Sequence, residues 1–246
     1  MRDEANAAFY DGDSRSYDET RWVSDAGIFT DAAQQEIVAD LTNGWSEVKI
    51  LEAGPGTARF TIPLARKANR ISLVDISSGM LETAQENLAK EGLDAAIVEA
   101  RQGSLYELPF DDGQFDRAIC LNVLSHIENS ALALKELSRV VRPGGEVLIN
   151  YPNLQSYYWP AARRINDRAK AVDVDVYSIW DTPKKMQARL ESANLSLIRR
   201  LGHVHVPRAV ERYHLLPVVR ILDRISRRGW LSRYAPIHFC LCRKEG

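Results

Sequence analysis

The stretch Glu52-Ala53-Gly54-Pro55-Gly56-Thr57-Ala58 holds the residues best suited to chemistry. Glycines at 54 and 56 let the backbone turn tightly and approach a ligand, and the helix that follows aims its free amides at the same place. Asp75 closes the next apolar run, where a carboxylate can accept both hydroxyls of a ribose. Together these groups describe a pocket for a nucleotide-type cofactor, and two patterns compete for it. A dinucleotide fingerprint wants a third glycine at 59, but Arg59 stands there, and its bulk counts against a nicotinamide cofactor. The rival pattern wants an acid two residues before the first glycine, which Glu52 supplies. Further on, Asn122 and His126 follow an apolar strand. Asn122 offers an amide to a polar part of the cofactor, and His126 is the best candidate for a general base.

These groups need rigid elements behind them, and the pattern supplies them. Short apolar runs at 48–51, 71–74, 96–99, 115–121 and 146–150 alternate with helical stripes at 59–67, 80–90 and 129–141. Gly92 stands where a helix C-cap glycine belongs, and Arg142-Pro143-Gly144-Gly145 stops the third stripe. Strand–helix alternation of this length predicts right-handed crossovers and a mostly parallel sheet covered on both faces, an α/β fold. In the flanks, Asp31 is an expected N-cap for a helix over 32–41. Thr182-Pro183 opens a helix to about 193, and strands are expected at 195–206 and 237–242.

The sequence around the glycine turn resembles the class I S-adenosylmethionine-dependent methyltransferases, whose first motif is acid-x-Gly-x-Gly-x-Gly. Glu52, Gly54 and Gly56 match, and Ala58 replaces the third glycine. The likeness continues through Leu73-Val74-Asp75-Ile76 with Met80, then Gly103-Ser104-Leu105, where the family often has Gly-Asp on the adenine. It also takes in Leu121-Asn122 and Arg142-Pro143-Gly144-Gly145. The resemblance implies a Rossmann-like sheet of seven strands, the last inserted antiparallel, and S-adenosyl-L-methionine as cofactor. It implies that Glu52, Ala53, Gly54, Pro55, Gly56, Thr57, Asp75, Ile76, Met80, Gly103, Ser104, Leu105, Leu121 and Asn122 surround that cofactor. Relatives fold an N-terminal segment over it as a lid, which would bring Tyr17 and Arg21 to it, with Tyr10 nearby. The expected activity is methyl transfer to a small-molecule or lipid-linked acceptor. A nicotinamide-dependent oxidoreductase and a non-catalytic cofactor-binding module are the alternatives.

Composition sets the outer limits. The 246 residues carry 32 basic and 33 acidic side chains, a net charge of −1, so a general nucleic-acid binder is not expected. No apolar run is long enough to span a membrane, and the polar start reads against a secretory signal. Cys120, Cys240 and Cys242 suggest neither a disulfide framework nor a zinc site, and a cytoplasmic location is expected. His203 and His205 share one face of a strand without a third ligand and read as packing residues, so no metal is expected. The chain reads as a single domain over 1–246, with a lid at 1–46 and a cofactor core at 47–151. Insertions at 152–181 and 207–236 would form an acceptor pocket. Residues 208–233 carry seven arginines against Glu211 and Asp223. On a helical wheel Val218, Ile221, Leu222 and Ile225 oppose Arg220, Arg224, Arg227 and Arg228. Such a helix either packs its apolar face on the domain and solvates its arginines, or makes peripheral contact with an anionic membrane.

Overall fold

The computed structural model describes residues 2–67, 69–171, 178–204 and 216–246. Three N-terminal helices, α1 (Arg2–Asp13), α2 (Tyr17–Arg21) and α3 (Asp25–Leu41), precede the sheet. The core then alternates β1 (Lys49–Ala53), α4 (Thr61–Ala65), β2 (Arg70–Asp75), α5 (Ser78–Lys90), β3 (Ile97–Gln102), β4 (Phe115–Cys120), α6 (Ser130–Val140) and β5 (Val141–Pro152). After it come α7 (Trp159–Ala171), α8 (Pro183–Ser192), β6 (Leu195–His203), α9 (Leu216–Ser226) and β7 (Ile237–Lys244). The seven strands lie in the order β3-β2-β1-β4-β5-β7-β6, all parallel except β7. Reversal of the strand order at β1 opens a crevice at the carboxyl ends of β1 and β4, where open α/β sheets bind ligands.

Alternate residues of each strand feed two cores. Leu51 and Ala53 join α6 and α8 on one face through Leu134, Leu137, Met186 and Leu190. Ile50 joins α3, α4 and α5 on the other through Ile37, Leu41, Leu64 and Leu88. All three cysteines are buried in strands with free thiols: Cys120 in β4, Cys240 and Cys242 in β7.

Local signals fix most boundaries. The Thr182 hydroxyl accepts from the Lys185 amide with Pro183 at the first helical position, and Asn129 caps α6 by accepting from Leu132. Gly92 adopts the expected left-handed conformation after α5. Asp31 is not an N-cap. The helix starts about two turns earlier, where the Ser24 hydroxyl accepts from the Gly27 amide, and Asp31 lies inside it, bound to Arg59. The helix expected at 59–67 shrinks to Thr61–Ala65, and β5 runs through Arg142-Pro143-Gly144-Gly145 to pair Val141 with Phe115.

The arginine-rich helix is turned opposite to the simple amphipathic expectation. Leu216 and Val219 pack on Phe29, Ala33 and Val204. Asp223 is fully buried, its carboxylate 2.9 Å from His203 Nδ1 and accepting from the Val204 amide and Arg227. Arg227 also reaches Glu36, and Arg228 reaches Asp40, both on α3. Val218, Ile221, Leu222 and Ile225 face outward. His203 is thus a packing and hydrogen-bonding residue, while His205, Arg208 and Arg212 lie outside the described residues. No described helix is long and apolar enough to cross a membrane.

Candidate active site

A cleft open to solvent on one side lies at the carboxyl edge of β1, β2 and β4. The glycine turn forms its floor. Gly54 has φ +75°, and an added Cβ would stand 2.3 Å from Val123 Cγ2, so only glycine fits there. Gly56 has φ +55° and faces open space, leaving its backbone bare to the cleft. Its amide and that of Ser77 donate to Asp75 at 3.4 and 3.0 Å, aiming the carboxylate along the cleft wall. Burial pushes Asp75 up to about 6 despite these bonds. Glu52 lies beneath the turn, almost fully buried, and receives the Thr61 hydroxyl at 2.6 Å. Burial raises its carboxyl to about 7, with Thr61 and Arg59 pulling the other way.

The N-terminal helices close one side. The Asn6 amide donates to the His126 carbonyl at 3.0 Å, the Thr57 hydroxyl donates to Asp18 at 2.8 Å, and the Ser77 hydroxyl donates to Asp11. Tyr10 stands edge-on to His126, ring centroids 6.3 Å apart, and burial drives its phenol well above the usual range. Asn122 follows β4 in a left-handed conformation (φ 60°), a cost Asn tolerates better than most residues. Asn150 secures it twice, accepting from the Asn122 amide at 2.7 Å and donating to its side-chain oxygen at 2.8 Å.

Of the residues singled out in the sequence, Tyr17, Gly54, Pro55, Gly56, Thr57, Asp75, Ile76, Met80, Gly103, Ser104, Leu105, Leu121, Asn122 and His126 line this cleft. Three do not. Glu52 and Ala53 are buried behind its floor. Arg21 turns to Asp13, which it meets at 2.6 Å, and stacks on the Tyr17 ring at 3.9 Å. No described residue of 152–181 or 216–236 lines the cleft, and the nearest tie is the Ile179 amide donating to Ser125 beside His126. Val123 and Ile127 line the cleft beside their chain neighbours Asn122 and His126, whereas Asn6, Trp22, Phe60 and Tyr106 carry no spacing signal and join it by tertiary folding. The sequence reading took Arg59 only as an obstacle. In the fold Arg59 lines the cleft, stacked on the Trp22 and Phe60 rings and bound to Asp31 at 2.6 Å. No group of three His, Cys, Asp or Glu suited to a metal occurs among the described residues.

Fold and cleft define a Rossmann-like α/β protein built to hold a nucleotide cofactor at a sheet reversal. Residues 51–149 match the methyltransferase-domain family. The demethylmenaquinone methyltransferase of Desulfitobacterium hafniense is 34% identical over 139 residues, 48% of this chain and 54% of that protein. The matched stretch thus spans about half of that relative's length. The Streptomyces avermitilis enzyme of the same name is 28% identical over 208 residues, 78% of this chain and 86% of that protein. A SAM-dependent methyltransferase of Thermotoga maritima superposes with a TM-score of 0.66 at 17% identity, covering 95% of this chain and 98% of its own. These matches support the class I S-adenosylmethionine-dependent methyltransferase superfamily for residues 51–149.

The residues present fit that family's cofactor. A bare glycine turn, a carboxylate at the end of β2 and a half-apolar wall from Ile76, Met80 and Leu105 suit a nucleoside. Two buried polar atoms of the cleft lining, Asn6 Oδ1 and Trp22 Nε1, have no hydrogen-bond partner among the described residues, as expected of groups that meet a polar ligand.

Proposed function

We propose that the protein transfers a methyl group from S-adenosylmethionine to a small-molecule or lipid-linked acceptor. The observation that carries this reading is one cleft bringing together the Gly54–Gly56 turn, Asp75 and His126. When bound, the cofactor supplies a methyl carbon activated by its sulfonium. Asp75 accepts the ribose hydroxyls, Ile76, Met80 and Leu105 flank the adenine, and Ser104 offers it one hydroxyl. The turn from Gly54 to Thr57, with Leu121 and Asn122, holds the amino-acid portion, Glu52 supports the turn from below, and α1 and α2 act as the lid. Arg59, or Arg21 from the lid, supplies the cation for the cofactor's carboxylate.

The protein's main contribution is orientation, because an in-line displacement needs the acceptor within about 3–3.5 Å of the methyl carbon. Asn6, Tyr10, Tyr106 and Ile127 make the wall beside His126 where an acceptor would lie. His126 takes the acceptor's proton on its imidazole. The same reading keeps the protein in the cytoplasm, with residues 208–233 touching an anionic membrane. The quinone in the relatives' names and the outward apolar stripe of α9 support it.

Calorimetric titration with S-adenosylhomocysteine and turnover of a labelled methyl group test the proposal. Asp75→Ala should weaken binding roughly ten- to a hundredfold, the scale of a lost charge-assisted hydrogen bond. His126→Ala should lower turnover by about 10²–10⁴ while leaving that affinity intact. Unchanged affinity in the first variant, or unchanged turnover in the second, removes the respective role.

A further inference from the structure

Helix α9 is anchored by its polar side and leaves its apolar side uncovered. Leu216, Val219, Asp223, Ser226 and Arg227 recur at helical spacing and form the anchored face. Val218, Ile221, Leu222 and Ile225 form the opposite stripe, with Ile221 63% exposed. Trp230, 74% exposed, and Tyr234 extend it, their rings edge-to-face at 6.4 Å. Tyr157, also exposed, joins the same surface through its amide, which donates to the Tyr234 carbonyl at 3.3 Å. Exposed apolar side chains grouped in this way mark a contact surface.

Charge and topology select the partner. Arg227 and Arg228 are neutralised by Glu36, Asp223 and Asp40, and Arg220 lies over the Phe29 ring on the anchored side, whereas Arg224 and Arg233 stand exposed beside the helix and after it. A second copy meeting this face about a two-fold axis would set arginine against arginine, while anionic head groups complement the rim. Strands β5 and β6 both run antiparallel to β7, so Pro152, His203 and the start of β7 lie at one edge of the sheet. That edge is the one that holds the Gly54 turn and Asp75. The segment that carries α9 therefore leaves β6 and enters β7 at the edge that holds the cleft.

We propose that this surface inserts into the interface of an anionic membrane. The apolar stripe and Trp230 lie among the upper acyl chains, and Arg224 and Arg233 sit at the phosphates. A lipid-linked acceptor then reaches the cleft from the membrane side, a clause that rests on the function proposed above.

The test uses the full chain with vesicles of phosphatidylglycerol and phosphatidylcholine, and with phosphatidylcholine alone. The wild type should co-sediment with the anionic vesicles, and Trp230 emission should shift to the blue and be quenched by brominated acyl chains. Ile221→Ser/Ile225→Ser should bind them roughly a hundredfold more weakly, from the apolar area lost, with unchanged thermal unfolding. Trp230→Phe should keep binding and lose the spectral shift. A wild type that stays in the supernatant overturns the proposal. So does retention by the isoleucine variant with loss only in Arg224→Gln/Arg233→Gln, which would make the contact purely electrostatic. A concentration-dependent dimer dissociated by the isoleucine variant would show that a second copy covers the face. S-adenosylhomocysteine affinity measured on the same samples keeps the two proposals apart: intact affinity without vesicle binding removes only the membrane contact.

Discussion

Asp11 on α1 accepts the Ser77 hydroxyl at 2.5 Å, and Ser77 in turn donates its amide to the carboxylate of Asp75. The N-terminal helix is therefore coupled to the group assigned to the ribose through one serine. Asp11 also accepts from the Gly79 amide at 3.0 Å, so its charge sits at the positive end of α5. Asp11→Ala should cost about 1 kcal/mol of stability, since the site is exposed. It should also weaken S-adenosylhomocysteine binding several-fold, because α1 loses its hold over the turn. Thermal unfolding and calorimetry measure both, and unchanged affinity would uncouple the helix from the pocket.

Ala58 occupies the place of the motif's third glycine with φ +70° while fully buried. A left-handed residue with a Cβ carries about 1–2 kcal/mol of strain, part of which glycine's extra unfolded-state entropy offsets. Ala58→Gly should therefore stabilise the protein by about 0.5–1 kcal/mol. Chemical denaturation that shows destabilisation instead would mean that the lost methyl contacts outweigh the strain.

Glu52 and Asp75 bind protons more tightly in the folded chain, at about 7 and about 6, than at their ordinary 4.5 and 3.8. Their contribution to stability is fully present below about pH 4 and is lost as pH rises through 6 and 7. Glu52→Gln keeps an oxygen for the Thr61 hydroxyl and removes the buried charge. Its stability relative to wild type should be near even at pH 5 and clearly higher at pH 8. An advantage that shrinks over that interval would show that Arg59 already compensates the carboxylate.

Arg59 lines the cleft, while Arg21 is turned to Asp13. Arg59→Ala should weaken S-adenosylhomocysteine binding by about tenfold and Arg21→Ala by less than twofold, if Arg59 pairs with the ligand's carboxylate. The reverse order in calorimetry would return that role to the lid. Arg59→Lys should not rescue, since a lysine cannot reproduce the stacking on Trp22 and Phe60 or the fork that meets Asp31 and Gln34.

Local signals carried the core. The glycine turn, Asp75 and the apolar runs reflect steric rules that act within a few residues, so the core strands and the cleft floor could be placed from them. The outward turn of α9 could not. A helical wheel separates Val218 and Ile221 from the arginines but does not say which side docks. That choice is made by Glu36 and Asp40 on α3 and by His203, far away in the chain. Asp31 failed as a cap for a related reason. Ser24 offered a cap earlier, and Arg59 drew the Asp31 carboxylate into a tertiary contact. The walls from Asn6 and Tyr106 likewise depend on packing that no short pattern encodes.

The three buried thiols give the sheet an internal clock. Burial pushes Cys240 up to about 12 and raises Cys120 and Cys242 as well, so none reacts with a disulfide reagent while its strand is covered. Cys120 sits in β4 near the centre, and Cys240 and Cys242 in the antiparallel strand between β5 and β6. The rate at which each is labelled therefore times the exposure of its own part of the sheet. If the antiparallel side peels away before the parallel centre opens, two thiols will be modified in a fast phase and the third only with global unfolding. A single phase for all three would mean that the sheet comes apart as one body.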